Sequence, residues 1–304
     1  MRKIKHYKGT TGDLKADSWN FHTNALNRLD DGPRKTLIAS MEAEIHSQYD
    51  DYVDKFLSNT LEQLQPINLQ ETVHDHPKKD ALQYQYSFKK KVFADLYKQL
   101  STDDKGRQSI LCPNCQAEPS HTLDHCIPKV EFPEYSDHPL NLMLCCQDCN
   151  GHKSSTWRKG EKRTQLNLYL DDIPDIQYLF VNVSMVDGLP FAEFEIHQTT
   201  GISDDLYEKI KGHYGKPLEL CKVKYVTKTY DALSNLRTEL RPAYEKLPPD
   251  EAKASLMETV RAWQIKYGRN YWLALLLEAC ANNPDTWLWF MTKEEDINPQ
   301  VANI

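Results

Sequence analysis

Two Cys-x-x-Cys pairs constrain the fold of this 304-residue chain more than any other feature of its sequence. The first pair is Cys112 and Cys115, and the second is Cys146 and Cys149. Four thiolates from two such pairs can form the tetrahedron of a closed structural zinc site. In an ordinary zinc ribbon about 15–20 residues separate the pairs, and here the separation is wider. The sequence therefore predicts a structural Zn²⁺ site that encloses an inserted loop.

The other cysteines of the chain are predicted not to bind this metal. Cys145 competes with Cys146 in principle, but only Cys146 completes the second two-residue spacing. Cys126 is expected to be a small buried filler, and Cys221 and Cys280 are expected to be inert core residues. The N-terminal charges are not followed by an apolar run, and no apolar stretch approaches the roughly 18 residues of a membrane span. We therefore expect a cytoplasmic protein with reduced thiols and no membrane contact.

Charge gives a mixed indication about partners. The formal net charge of −7 disfavours a nucleic-acid partner if it is spread evenly. Five basic residues nevertheless follow the second cysteine pair closely: Lys153, Arg158, Lys159, Lys162 and Arg163. Such a run is often only a solvated face. Its position beside the cysteine-rich segment favours contact with phosphates instead.

Several motifs occur in a fixed order over roughly residues 105–165. They are Cys-x-x-Cys, Leu-Asp-His-x-Ile-Pro-Lys, Asn-Leu and Cys-x-x-Cys-Asn-x-x-Lys. This order resembles the zinc-stapled branch of the HNH endonuclease family. The resemblance implies a ββα-metal finger, with one strand ending at Asp124-His125, a second strand after Asn141, and a helix entered through Asn150. That last position is often histidine in the family, and asparagine there weakens metal affinity in principle.

Phosphodiester hydrolysis gives three of these residues a chemical role. Asp124 and Asn150 carry hard oxygen donors, which suit a catalytic Mg²⁺ or Mn²⁺ with open water positions. His125 is the candidate general base that removes a proton from the attacking water. The competing interpretations are that Asp124 and His125 form an ordinary surface pair and that Asn150 only caps a helix.

The remaining polar residues of the motif have supporting roles in this hypothesis. Asn141 is predicted to brace the loop so that the His125 imidazole faces the water, although it could merely cap a turn. Lys153 and Lys129 are predicted to contact the substrate phosphate. The nearby His121, His138 and His152 are given no catalytic role.

Outside the motif, hydrophobic spacing is mostly helical. Apolar residues three and four positions apart predict one long amphipathic helix over 36–64. Asp187-Gly188 is the turn dipeptide of a two-residue β-hairpin. Asp250, behind two prolines, predicts the N-cap of a helix that ends at Gly268. We therefore expect a mainly α chain with a small α+β insert, divided into a helical N-terminal region (1–104), a ββα-metal domain with the four-cysteine zinc site (105–170), and a β-hairpin followed by a helical C-terminal region (171–304).

These observations favour a metal-dependent endonuclease that acts on nucleic acid, with DNA as the expected substrate. One alternative is a zinc module without catalytic activity that binds nucleic acid or a protein. Another is the nuclease subunit of a larger assembly with a regulatory ATPase. The layout of a helical N-terminus ahead of a central finger is similar to nucleases of Septu-type and retron-associated anti-phage systems, which would imply a defence role.

Overall fold

The computed structural model describes residues 3–72, 74–87, 90–103, 105–108, 111–153 and 155–293. The chain divides into two compact units. The first unit is formed by residues 3–172 and 208–213, and the second by residues 173–207 and 214–293. Among the described residues, no helix combines the length and the apolar character that crossing a membrane requires.

The first unit is mostly helical and also contains two short antiparallel strand pairs. Its helices are α1 (Leu14–Asn27), α2 (Pro33–Ala39), α3 (Glu42–Leu57), α4 (Pro77–Gln85), α5 (Lys91–Ser101) and α6 (Gln147–Lys153). Its strands are β1 (Thr122–His125), β2 (Leu142–Cys145), β3 (Arg158–Lys159) and β4 (Lys162–Arg163).

β1 and β2 form an antiparallel strand pair, and Asp124 and His125 lie at the end of β1. Thr122 lies opposite Cys145, and His125 lies opposite Leu142. The loop between the strands contains two short 3-10 turns, and α6 follows β2 almost directly. The prediction that this helix is entered through Asn150 is wrong, because the Asn150 N–H already donates to the Cys146 carbonyl at 3.1 Å. Asn150 therefore lies inside α6 and is not its N-cap.

The predicted single helix over 36–64 is also wrong. The chain forms α2 and α3, and a separate 3-10 turn follows at Leu61–Gln63. Between the helices, the Ser40 hydroxyl donates to the Leu37 carbonyl at 2.7 Å, and the Met41 N–H bonds three residues back to Ile38. A side-chain bond of this kind competes with helical backbone bonds, so the apolar spacing continues through a break in the helix.

An apolar cluster packs helices of the N-terminal region against β1 and β2. It contains Phe21 and Ala25 of α1, Phe93 and Leu96 of α5, and Leu123, Leu142 and Leu144 of the two strands. Burying one large apolar side chain of this kind stabilises a fold by about 1.5–3 kcal/mol. The predicted boundary between residues 104 and 105 thus falls inside one compact unit, and the three-domain division remains a prediction.

The second unit is built from a β-hairpin and long helices. Its elements are β5 (Leu179–Val186), β6 (Leu189–Ile196), α8 (Tyr225–Tyr244), α9 (Pro249–Tyr267), α10 (Trp272–Asn282) and α11 (Pro284–Met291), and α7 (Asp204–Tyr214) contributes residues to both units.

The local turn predictions hold in this unit. Asp187 and Gly188 both have positive φ, at 51° and 79°, so the predicted hairpin is confirmed. α9 ends at Gly268, as predicted, where φ is 100°. Its start was predicted slightly late, because Pro249 is the first helical residue and Asp250 lies in the first turn. Proline is favoured at that position because its missing N–H would have no helical partner anyway.

Candidate metal centre and active site

The four predicted cysteines meet in the first unit. The Sγ atoms of Cys112, Cys115, Cys146 and Cys149 all lie within 4.8 Å of one another, and all four residues are buried. The backbone N–H of Cys146 donates to the Cys112 sulfur at 3.3 Å, and that of Cys149 donates to the Cys146 sulfur at 3.4 Å. Four converging sulfurs with amide donors suit a tetrahedral structural metal. The cluster is compatible with zinc.

Asn114, which lies between the first two cysteines, makes two further contacts beside this cluster. The Asn114 carboxamide donates to the Cys145 sulfur at 3.3 Å. The Asn114 carbonyl in turn lies 3.1 Å from Nε2 of His213, a buried residue of α7. Sequence spacing indicated neither contact. His213 in particular is far from the motif along the chain.

Asp124 at the end of β1 is buried against a cation. The Lys153 ammonium lies 2.9 Å from Oδ2 of Asp124 and also donates to the His125 carbonyl. Burial raises the pKa of the Asp124 carboxyl, and the Lys153 charge opposes that rise. The Lys153 side chain is only 9% exposed. Its predicted contact with a substrate phosphate remains a prediction, and in this structure its partners are β1 groups.

The His125 imidazole is held in one orientation. Its Nε2 lies 2.8 Å from the Ser136 carbonyl, so Nε2 carries the proton and Nδ1 keeps a free lone pair in the neutral ring. The ring also packs edge-on against Tyr86, with centroids 4.7 Å apart. Burial lowers the pKa of His125 to about 3. A neutral imidazole with a defined tautomer is the form that accepts a proton.

Asn141 ties the two ends of the inserted loop together. Its Oδ1 accepts from the Ile127 N–H at 2.7 Å, and its Nδ2 donates to the Ile127 and Tyr135 carbonyls at 3.1 and 3.0 Å. Tyr52 of α3 adds a hydroxyl bond to the same Oδ1 at 3.3 Å. The carboxamide therefore spans the loop that carries Ser136, whose carbonyl accepts the hydrogen bond from His125.

Asn150 and Lys129 are the two remaining predicted site residues. Asn150 is half-buried and precedes Lys153 by three residues in α6, so it shares the helix face that contacts Asp124. Lys129 is half-buried, and its ammonium lies 5.4 Å from the centre of the Tyr86 ring, the ring that contacts His125. Burial lowers the pKa of Lys129.

The basic run is mostly neutralised by acids of the first unit. Lys153 pairs with Asp124, Arg158 pairs with Glu131, and Arg163 makes a two-pronged pair with Asp171 at 2.8 and 2.9 Å. Only Lys159 and Lys162 of the run are exposed. Three of the five members are therefore paired with acids in this structure, and contact of the run with phosphates stays a prediction.

Comparison with known proteins identifies the class of this segment. Residues 112–156 match the model of the HNH endonuclease family. Protein ea31 of Escherichia phage lambda is 31% identical to the chain over 83 residues, which cover 27% of this chain and 28% of that protein. The chain thus spans less than a third of this relative. No solved structure matches the chain at a significant level. The family match supports a nuclease, and the segment it covers holds both the cysteine cluster and His125.

Proposed function

We propose that the chain is a metal-dependent HNH endonuclease that hydrolyses phosphodiester bonds in nucleic acid, with DNA as the expected substrate. The observation that carries the proposal is the His125 imidazole, oriented by the Ser136 carbonyl, within the segment that matches the HNH family. We assign β1, the inserted loop, β2 and α6 as its ββα-metal finger, clipped together by zinc at the four cysteines.

In this proposal His125 is the general base. Its Nδ1 accepts the proton of the attacking water, while the Nε2–H bond to Ser136 stabilises the positive charge that develops on the ring. Asn141 holds the loop in place during this transfer. Positioned acid–base catalysis of this kind contributes about 10²–10⁴-fold to a rate.

The oxygens of Asp124 and Asn150 would hold the catalytic Mg²⁺ or Mn²⁺. A carboxylate and a carboxamide on facing elements suit such an ion, and Lys153 occupies only one carboxylate oxygen of Asp124. The ion would supply charge stabilisation to the scissile phosphate and its leaving oxygen.

Cations near His125 give the substrate a place to bind. Lys129 lies beside Tyr86, whose ring contacts His125. We assign Lys129 and Lys153 to the phosphates next to the scissile bond. Lys153 would make this contact while it also orients Asp124.

Plasmid cleavage tests the proposal. The protein is incubated with supercoiled DNA and Mg²⁺ or Mn²⁺, and compared with His125→Ala and with His121→Ala, a control at an exposed histidine of the same segment. We expect His125→Ala to remain folded with its full zinc content and to lose at least about 10²-fold in rate, whereas His121→Ala cleaves normally. Equal cleavage by His125→Ala would remove this imidazole from the mechanism.

A second candidate function is a zinc module that binds nucleic acid or protein without cleaving. The observation that favours it is the Lys153 ammonium, which already neutralises the proposed metal ligand Asp124 inside a buried site. Binding of Mn²⁺, followed by electron paramagnetic resonance, separates the two candidates. The nuclease requires Mn²⁺ binding that Asp124→Asn abolishes, and the inactive module requires none. The anti-phage role and a regulatory ATPase partner rest on the sequence layout alone and stay predictions.

A further inference from the structure

We propose that Asp137 is a positioning residue for the His125 general base. Side chains from three helices of the N-terminal region hydrogen-bond to its carboxylate. The inference rests on the proposed function and extends it, because it makes α1, α3 and α4 part of the catalytic apparatus. These helices lie outside the segment that matches the family, and their sequence pattern indicated no role in chemistry.

Three helices meet at the Asp137 carboxylate. The Tyr49 hydroxyl of α3 donates to Oδ1 at 2.8 Å, and the Gln85 carboxamide of α4 donates to Oδ2 at 2.8 Å. Nδ1 of His22 in α1 lies 3.0 Å from Oδ2. Asp137 is 2% exposed, and all three partners are buried. The carboxylate is therefore held by neighbours that approach from different directions.

Asp137 is joined rigidly to the group that orients His125. The Ser136 carbonyl that accepts from Nε2 of His125 belongs to the same planar peptide unit as the Asp137 N–H. Fixing the Asp137 side chain therefore restricts the rotation of this peptide plane. The carbonyl then points at the imidazole without any need for a direct contact between the helices and His125.

The opposite side of the loop is anchored separately. Asn141 donates to the Tyr135 carbonyl at 3.0 Å, and the Ser136 hydroxyl donates to the Pro133 carbonyl at 2.7 Å. Between these anchors and Asp137, the Ser136 carbonyl has little freedom. The His138 ring, 4.4 Å from the Tyr49 ring, packs the next residue of the loop against α3.

Stability alone does not account for this arrangement. Burying a carboxylate costs several kcal/mol before its hydrogen bonds are counted, and apolar side chains of similar volume often stabilise a core equally well or better. Directional hydrogen bonds to both oxygens fix the orientation of the Asp137 carboxylate, and apolar packing would not fix it. A role in orientation is thus the better physical explanation.

Tyr49→Phe is the mildest test, because it removes one hydroxyl and keeps the ring in place. We expect kcat for plasmid cleavage to fall between about 10- and 100-fold with KM unchanged, the scale of a small misplacement of a reacting group. Zinc content should stay at the wild-type level, and the protein should remain folded at the assay temperature, although loss of a hydrogen bond to a buried charge lowers the unfolding temperature. Asp137→Asn should produce a larger fall in the same direction.

Tyr97→Phe is the matched control. The Tyr97 hydroxyl also donates to an acceptor of the same unit, the Ser120 carbonyl, at 2.6 Å. Its removal should leave kcat unchanged. An equal loss of kcat in Tyr97→Phe and Tyr49→Phe would overturn the proposal, since any lost hydroxyl would then have the same effect.

A spectroscopic measurement reports on the His125 ring directly and does not depend on cleavage. It distinguishes a change in the orientation of this ring from a general loss of structure. With ¹⁵N-labelled histidine, we expect the wild-type His125 ring to be protonated at Nε2, and Tyr49→Phe and Asp137→Asn to lower that population or shift its resonance. Unchanged His125 resonances in both folded variants would overturn the inference. If wild-type protein does not cleave but these resonances move as expected, the proposed function fails while the positioning network stands.

Discussion

The two compact units bury very different side chains. In the first unit the buried ionisable groups include His22, Asp124, Glu134, Asp137 and Arg163, whereas among the described residues of the second unit only Arg237 is a buried charged residue. The second unit instead packs apolar and aromatic groups, such as the stacked rings of Tyr225 and Trp272, whose centroids lie 5.2 Å apart. Both units are helical, so secondary structure does not explain the difference.

This contrast agrees with the proposal that the site lies in the first unit. Buried charges cost free energy unless they are paired and hydrogen-bonded, so a region that contains many of them is organised around more than stability. All the predicted site residues lie in the first unit. None of these residues lies in the second unit. The following predictions test how far this division holds.

The largest expected effect follows loss of the cysteine-bound metal. Chelation of zinc, or Cys146→Ser, should unfold the segment between the cysteine pairs, since a structural zinc site in a small finger contributes on the order of 10 kcal/mol. Hydrogen exchange should show lost protection in β1 and β2 and retained protection in β5 and β6. Cys221→Ser, at a buried cysteine of the second unit, should keep its zinc. Retained protection of β1 in metal-free protein would contradict the prediction.

Buried and exposed ion pairs provide the next test. Arg163 is 4% exposed at its side chain and pairs with Asp171 at 2.8 Å. Arg163→Met leaves that buried carboxylate only the Lys209 ammonium, 3.9 Å away, as a cationic partner, so it should cost about 3–5 kcal/mol. Arg241 and Glu245 of α8 and its C-cap form a partly exposed pair in the second unit, so Arg241→Met should cost at most about 1 kcal/mol. Urea unfolding measures both. Equal losses would mean that the two units do not differ in the way they use charge.

The smallest expected effect is on the pH dependence of stability and involves Glu134. This residue is fully buried, and its Oε1 accepts a hydrogen bond from the Ile67 N–H at 2.9 Å. Burial raises the pKa of Glu134 to about 7. A raised folded-state pKa means that stability is present at low pH and is lost as pH rises through about 7.

Glu134→Gln should remove this loss. Relative to wild type, the variant should gain up to about 3 kcal/mol between pH 5 and pH 8, because one pKa unit corresponds to about 1.4 kcal/mol. Comparing the two proteins at each pH cancels the pH dependence of the metal site. Glu42→Gln, at an exposed residue of α3, is the control and should show no such gain. A constant difference between variant and wild type would show that Glu134 does not ionise in this range.

Sequence alone determined those features of the protein that depend on neighbours along the chain. The two cysteine spacings identified the four sulfurs that converge, because a two-residue gap places two thiols on one turn. Asp187-Gly188 and Gly268 marked a hairpin and a helix end, because few residues adopt positive φ without strain. The motif around Asp124 and His125 likewise led to the family that the comparison supports.

Tertiary structure alone decided which partner each buried polar group has. Lys153 was expected on a phosphate, yet its ammonium lies on Asp124, and Asp137 was given no role, yet three helices bond to it. The sequence separations in these contacts are large, and periodicity carries no information about them. Long-range hydrogen bonds depend on how the elements pack, and packing follows from the whole apolar core. For this reason the sequence could indicate His125 as a candidate general base, and only the fold shows that its imidazole bonds to the Ser136 carbonyl.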